Sequence, residues 1–268
     1  MSSQTFALAP SSSSEFVVVS SQRKRKNRPR RDKPTVSDLV ERTKQDLQND
    51  PWTAAAIQIV QESSSAVHND KSLDVLCLGL GSPCSSPNSR AQLAFLLLIC
   101  KSLNIDRSRV SLYDPVFTGE DLCFFEEQKL KVLSESNEKE GYAIDSPTLV
   151  YMPHCDMELH EDILKDNSTV RNAILICNRL GDYVESNPSH KLEARVPYLC
   201  RIVPFLVSVS LPPSNVWPAA FNNTSVQYLP ICNFDAWSSE NTPHSGEHSA
   251  ALSVSDGDAS AEAGAGNA

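Results

Sequence analysis

Between Asp74 and Leu80 the chain is apolar almost without alternation, and apolar runs recur at Thr148–Met152 and Asn172–Asn178. Runs of this kind predict strands covered on both faces, as in the centre of a parallel sheet. Arg109–Tyr113 and the more alternating Ser225–Leu229 complete a set of five predicted strands. Between them the spacing turns helical. Val36, Leu39, Val40, Thr43 and Leu47 predict a helix over Thr35–Gln48, with Thr35 or Ser37 as its cap. Pro51 opens a second helix to Gln61, with Trp52, Ala55, Ala56, Ile59 and Val60 on its apolar face. A long apolar helix starts at Ser86 and Pro87 and runs to Leu103.

Thr118 and Asp121 form a capping box for a helix to about Leu133, with Cys123, Phe124 and Leu130 expected on its buried side. Ala194–Leu211 reads as helical, started near Pro197 and broken near Pro204. Strand and helix in alternation predict an α/β fold. The expected form is a Rossmann-like, mainly parallel sheet with flanking helices, the first two helices forming a side layer and the strand ends sharing one edge. Residues 1–35 form a Ser-rich basic arm and residues 236–268 an acidic tail, both too poor in large apolar residues to fold, which leaves 36–235 as the domain.

Charge sharpens this division. The formal net charge is -9, yet Arg23 to Lys33 is strongly basic, so the body of the protein is acidic. Direct nucleic-acid binding is therefore expected only of the basic arm, if anywhere. The run RKRKNRPRR reads as a nuclear-import signal, which would place the protein in cytoplasm and nucleus. The 8 cysteines show no paired CxxC spacing and sit mostly in apolar runs, as expected of reduced thiols in a reducing compartment. Cys77, Cys100 and Cys177 should be inert, whereas Cys84 and Cys155, at turns, are open to reagents. The longest apolar run, Ala91–Cys100, is too short to span a bilayer, so no membrane association is expected.

Candidate chemistry falls at the strand ends. Gly79, Gly81 and Ser82 allow a sharp turn whose amides could face a small anionic ligand at the start of the long helix. Arg90 is a cation in the first helical turn, where it opposes the helix dipole unless an anion is bound. Asp114 ends the second strand, where nucleotide-binding folds hold ribose hydroxyls, and Asn178 ends the fourth. A nucleotide-type ligand, S-adenosylmethionine included, is thus one candidate. The third glycine of a dinucleotide fingerprint is missing and Pro83 removes an amide, which disfavours NAD. His154, Cys155 and His160 form the other candidate set, for haem or a metal. Adjacent residues on an extended strand point to opposite faces, so the His154–Cys155 pair makes a poor nucleophile, and no catalytic constellation emerges.

The strand-end segments GLGSPCSSPNSRAQLAFLLLICKSL, YDPVFTGED, TLVYMPHCDMELHEDIL, AILICNRL and FNNTSVQYLP, in this order, resemble the plant sensitivity-to-red-light-reduced protein and its relatives in animals and fungi. The resemblance covers about Asp38 to Pro230. It implies a regulatory role acting through protein partners, tied to light input and the circadian clock in plants, and to haem metabolism and clock-gene expression in animals. It implies no catalytic residue. Relatives commonly carry a haem-regulatory Cys-Pro pair where this chain has Cys155 and Asp156.

The basic run generates the first prediction. Removing residues 23–33 from a fluorescently tagged chain should lower its nuclear fraction, measured by imaging. An unchanged fraction would remove the import role.

Overall fold

The structure is a computed structural model, and it describes residues 33–68, 72–135, 142, 144–165 and 167–241. The basic run and nearly all of the acidic tail lie outside the described residues.

Seven strands form one sheet: β1 Asp74–Leu78, β2 Val110–Tyr113, β3 Lys131–Val132, β4 Thr148–Met152, β5 Ala173–Asn178, β6 Val207–Ser210 and β7 Thr224–Tyr228. Their order is β3-β2-β1-β4-β5-β7-β6. The first five run parallel, and β7 pairs antiparallel with both β5 and β6. The helices are α1 Val36–Gln48, α2 Pro51–Val67, α3 Pro87–Ser102, α4 Gly119–Glu127, α5 Met157–Leu164, α6 Asn167–Asn172, α7 Leu180–Ser186, α8 Ser189–Arg195, α9 Pro197–Ile202, α10 Pro218–Phe221 and α11 Ile231–Asn241.

Side chains of successive strand residues point to opposite faces, and the core divides accordingly. Val75, Cys77, Leu149, Tyr151, Ile174 and Ile176 face α3 and the α1–α2 layer. Leu76, Leu78, Val150, Met152, Leu175 and Cys177 face the side covered by α5, α7, α8 and α9. Helix α3 is buried from Ala91 to Cys100 on every side, because α1 and α2 cover the surface the sheet leaves open. Trp52 anchors that layer: its ring stacks on Phe221 at 4.6 Å and lies 5.1 Å from Phe95. Both first helices start as expected, α1 from a Thr35–Asp38 capping box and α2 from Asp50 with Pro51 in its first turn.

Four elements depart from the sequence pattern. Helix α2 runs on to Val67, six residues beyond Gln61. Helix α4 stops at Glu127, where Leu130 N–H donates to the Phe125 carbonyl and Lys129 N–H to that of Glu126. This closing turn holds Lys129 at φ 59° and releases the chain into β3. Cys123 is exposed on α4, while Phe124 and Leu130 are buried as expected. The segment after Pro204 is not helical: Val207–Ser210 is the edge strand β6. Helix α11 continues past residue 235 to Asn241, because Trp237, 1% exposed, packs edge-on to Phe205 in the core.

Candidate functional site

The chain leaves β1 through Gly79 (φ +65°) and Gly81 (φ +72°), backbone that side-chain-bearing residues rarely adopt. Both are needed for space as well. A Cβ on Gly79 would lie 2.4 Å from Cys155 Sγ, and one on Gly81 would lie 2.6 Å from Ser89 Oγ. The turn is therefore shaped by the chain's own close contacts.

Its hydrogen bonds are also internal. Gly81 N–H donates to Asp114 Oδ2 at 2.7 Å, and Val116 N–H donates to Asp114 Oδ1 at 3.0 Å. Cys84 N–H donates to Asp121 Oδ1 at 2.8 Å, while Thr118 N–H and Thr118 Oγ1–H donate to Asp121 Oδ2, both at 2.8 Å. Burial pushes the Asp121 carboxyl up, but hydrogen bonds from Ser82, Thr118 and Cys84 outweigh it and hold the group below its ordinary value. Ser86 caps α3 by accepting from Ser89 N–H, and Arg90 Nη1 donates to the carbonyls of Pro83 at 2.9 Å and Cys84 at 3.2 Å. That pair of bonds gives the first-turn cation a structural partner. Gly79, Gly81, Ser82, Arg90 and Asp114 thus come together in one network.

Asn178 belongs to a neighbouring one. Its Nδ2–H donates to Tyr183 Oη at 2.9 Å, and Tyr183 Oη–H donates to the Cys155 carbonyl at 3.1 Å, tying the end of β5 to the end of β4. Gln227 completes the closure from β7. Its Nε2 donates to the Asn178 carbonyl at 3.0 Å and contacts Cys177 Sγ at 3.2 Å, while its Oε1 accepts from Leu180 N–H at 3.0 Å.

The second candidate set does not converge. Nε2 of the exposed His154 donates toward the carbonyls of Ala219 and Ala220 at 3.2 and 3.1 Å. Cys155 is buried and donates to the Leu78 carbonyl at 3.4 Å; burial, reinforced by Asp156 and Asp114, pushes its thiol up to about 12. The expectation that Cys155 is open to reagents is corrected by that burial beneath the Gly79 turn. Cys84 is half-buried, and its hydrogen bond to Glu120 raises its thiol to about 11. His160 is 1% exposed; its Nδ1–H donates to the Asp156 carbonyl, and its Nε2 has no hydrogen-bond partner among the described residues. Burial lowers its pKa, against the raising effect of the Asp156 hydrogen bond and charge. Among the described residues no group of three His, Cys, Asp or Glu side chains could hold a metal ion. Haem held by Cys155 or His160 does not fit this arrangement, since one sulfur fills the space beside Gly79 and the other ring lies in the core. Asp156 caps α5 by accepting from Leu159 N–H at 2.9 Å.

Local pattern exposed the turn, Asp114 and the Thr118–Asp121 cap. It missed the reach of Asp121 back to Cys84, and Tyr183 and Gln227 altogether. Gln227 left one signal, a large amide between Val226 and Tyr228 in a predicted strand.

A mostly parallel sheet whose order reverses between β1 and β4, with a glycine turn and an acidic residue at the adjoining strand ends, defines a Rossmann-like domain. The SRR1 domain matches residues 27–228, and the chain belongs to that family. It is 31% identical over 143 residues to the SRR1-like protein of Mus musculus, a match covering 52% of this chain and 56% of the mouse protein. It is 27% identical over 99 residues to Protein SENSITIVITY TO RED LIGHT REDUCED 1 of Arabidopsis thaliana, covering 37% of this chain and 36% of that one. The chain thus spans little more than half of the first relative and about a third of the second. Among solved structures it is similar to the plantazolicin methyltransferase BpumL in complex with SAH, with 11% identity, a TM-score of 0.30, and coverage of 65% of this chain and 80% of that one. No helix among the described residues is long and apolar enough to cross a membrane.

The contact between Gly79 and Cys155 generates a prediction. Gly79→Ala should cost about 1–2 kcal/mol for the left-handed backbone and about 1–3 kcal/mol more for overpacking. Urea unfolding of the single variant and of Gly79→Ala/Cys155→Ala separates the two. The double variant should regain the overpacking part only; if it regains nothing, the sulfur does not limit the turn.

Proposed function

We propose that the chain is a regulatory protein of the SRR1 family acting in light input to the circadian clock, in cytoplasm and nucleus, through contacts with partner proteins. The observation that carries this reading is the family match over residues 27–228, which takes in β1 through β7, together with a relative named for its response to red light. The hydrogen bonds of the strand-end turn support a scaffold role, because the donors that would hold a ligand are spent on Asp114 and Asp121. A link to haem metabolism, on this reading, runs through other proteins. Disrupting the gene in its source organism should change the period of a rhythmic reporter in constant conditions, or blunt its phase response to red light. The wild-type chain should restore both. Unaltered rhythm and phase response in the disruptant would overturn the reading.

A second reading, an adenosine-type ligand such as a nucleotide or S-adenosylmethionine, is favoured by one observation: Asp114 and Gly81 meet 2.7 Å apart beside the point where strand order reverses. There the carboxylate would accept from ribose hydroxyls. A ligand at about 100 times its Kd adds roughly 2.7 kcal/mol of stability. A thermal-shift screen of nucleotides, S-adenosylmethionine and phosphate should then raise the melting temperature of wild type and not of a folded Asp114→Ala variant. No shift in wild type would leave the scaffold reading alone.

A further inference from the structure

From Ile202 to Phe234 there is no Asp, Glu, Lys, Arg or His, in a chain of which 21% is charged. This stretch forms β6, α10 and β7, one end of the sheet. It also carries three of the exposed large hydrophobic side chains, Val209 (36%), Val216 (55%) and Ile231 (72%). Val216 follows the Ser210 end of β6. Ile231 follows the end of β7 that pairs with Val207.

The register shows where the backbone of β6 points. Arg179 N–H donates to the Asn223 carbonyl between β5 and β7, and Leu211 N–H donates to the Thr224 carbonyl between β6 and β7. Bonding direction alternates along a strand, so Thr224, Val226 and Tyr228 turn toward β6, and Leu211, Val209 and Val207 turn toward β7. The N–H and C=O groups of Ser208 and Ser210 therefore point outward from the last strand of the sheet, and both residues are exposed. Edge strands are ordinarily protected by Lys, Pro or inward charges. Val207–Ser210 contains none of these.

We propose that two copies of this chain associate through antiparallel pairing of β6 with β6, about a two-fold axis at Val209. Ser208-Val209-Ser210 reads the same in both directions. Reversal therefore sets Ser208 of each copy opposite Ser210 of the other, and every outward N–H meets an outward carbonyl. The two Val209 residues face each other in the closer, non-hydrogen-bonded position. The same reversal brings the end of β6 that leads to Val216 beside the other copy's end next to Ile231, extending the contact with apolar area. Charge selects a second copy as occupant. Two copies of an acidic chain meeting through Ile202–Phe234 set no like charges of that stretch against each other, because it holds no ionisable Asp, Glu, Lys, Arg or His. A charged partner would find nothing there to pair with. The contact is isologous and closes at two copies.

Sedimentation of the full chain over a dilution series tests the arrangement. Wild type should approach twice the monomer mass as concentration rises. Val209→Lys, which sets two cations face to face on the axis, should weaken association roughly tenfold or more. Ser208→Pro, which removes an outward donor and leaves the β7 ladder intact, should also weaken it, each variant keeping the wild-type circular dichroism spectrum. A wild-type chain that stays monomeric overturns the proposal, as does a dimer that both folded variants leave intact. Amide hydrogen exchange on wild type gives an arm that needs no variant. Ser208 and Ser210 should exchange more slowly as concentration rises, and concentration-independent exchange at both also overturns it.

Discussion

Two carboxylates decide what the glycine turn can do. The amides at a strand-to-helix turn, together with the dipole of the helix that follows, make a region of positive potential that Rossmann-like domains ordinarily present to an anion. Here Asp114 takes Gly81 N–H and Asp121 takes Cys84 N–H, so the compensating negative charge is covalently part of the chain. Arg90 would be unfavourable in the first turn of α3 by about 0.3–1 kcal/mol, but it binds two carbonyls of the same turn. The turn is a locked joint between β1, β2 and α4. Removing Asp121 would strand several part-buried donors at once, and the loss would exceed that of one hydrogen bond.

The joint extends across the strand ends through backbone contacts. Cys155 Sγ occupies the space a side chain at residue 79 would need, which fixes the distance between the turns after β1 and β4. Tyr183 then ties the Cys155 carbonyl to Asn178, and Gln227 ties Asn178 to the first amide of α7. All of these bonds except Asn178–Tyr183 join segments far apart in the chain. The interval Glu161 spans is of the same kind: its carboxylate accepts from Tyr198 and Leu199 N–H, at 3.0 and 2.8 Å, and caps α9, which has no cap of its own.

That is why so much of the fold was legible in the residues and so little of the site's wiring. Buried strands, capping boxes and first-turn prolines are local signals, and β4 and the start of α3 fall where the pattern puts them. Lys129 was opaque because a left-handed closing turn without glycine leaves no local mark. β6 was opaque because four residues of Val and Ser after Pro204 support either period. Trp237 is held by Phe205, a partner on a separate element, while its flanking sequence reads as tail. Positions of Gly81 and Asp114 were readable, but the bond between them depends on how α3 and β2 pack, which no spacing rule supplies.

The two ends of the sheet's chemistry are therefore in opposite states. At the carboxyl edge, polar side chains are abundant and most of those described are paired within the chain; Nε2 of His160 and Oγ1 of Thr224 have no partner among the described residues, and both are enclosed in the core instead of facing a cleft. At the β6 edge, side-chain charge is absent and the outward N–H and C=O groups of Ser208 and Ser210 have no partner among the described residues. Hydrogen-bonding capacity left open on a surface is not costly while water satisfies it, but it is available to another strand without any group having to be uncovered. The strand-end side chains are thus spent on internal closure, while the outward N–H and C=O groups of Ser208 and Ser210 stay open to water at the far edge of the same sheet.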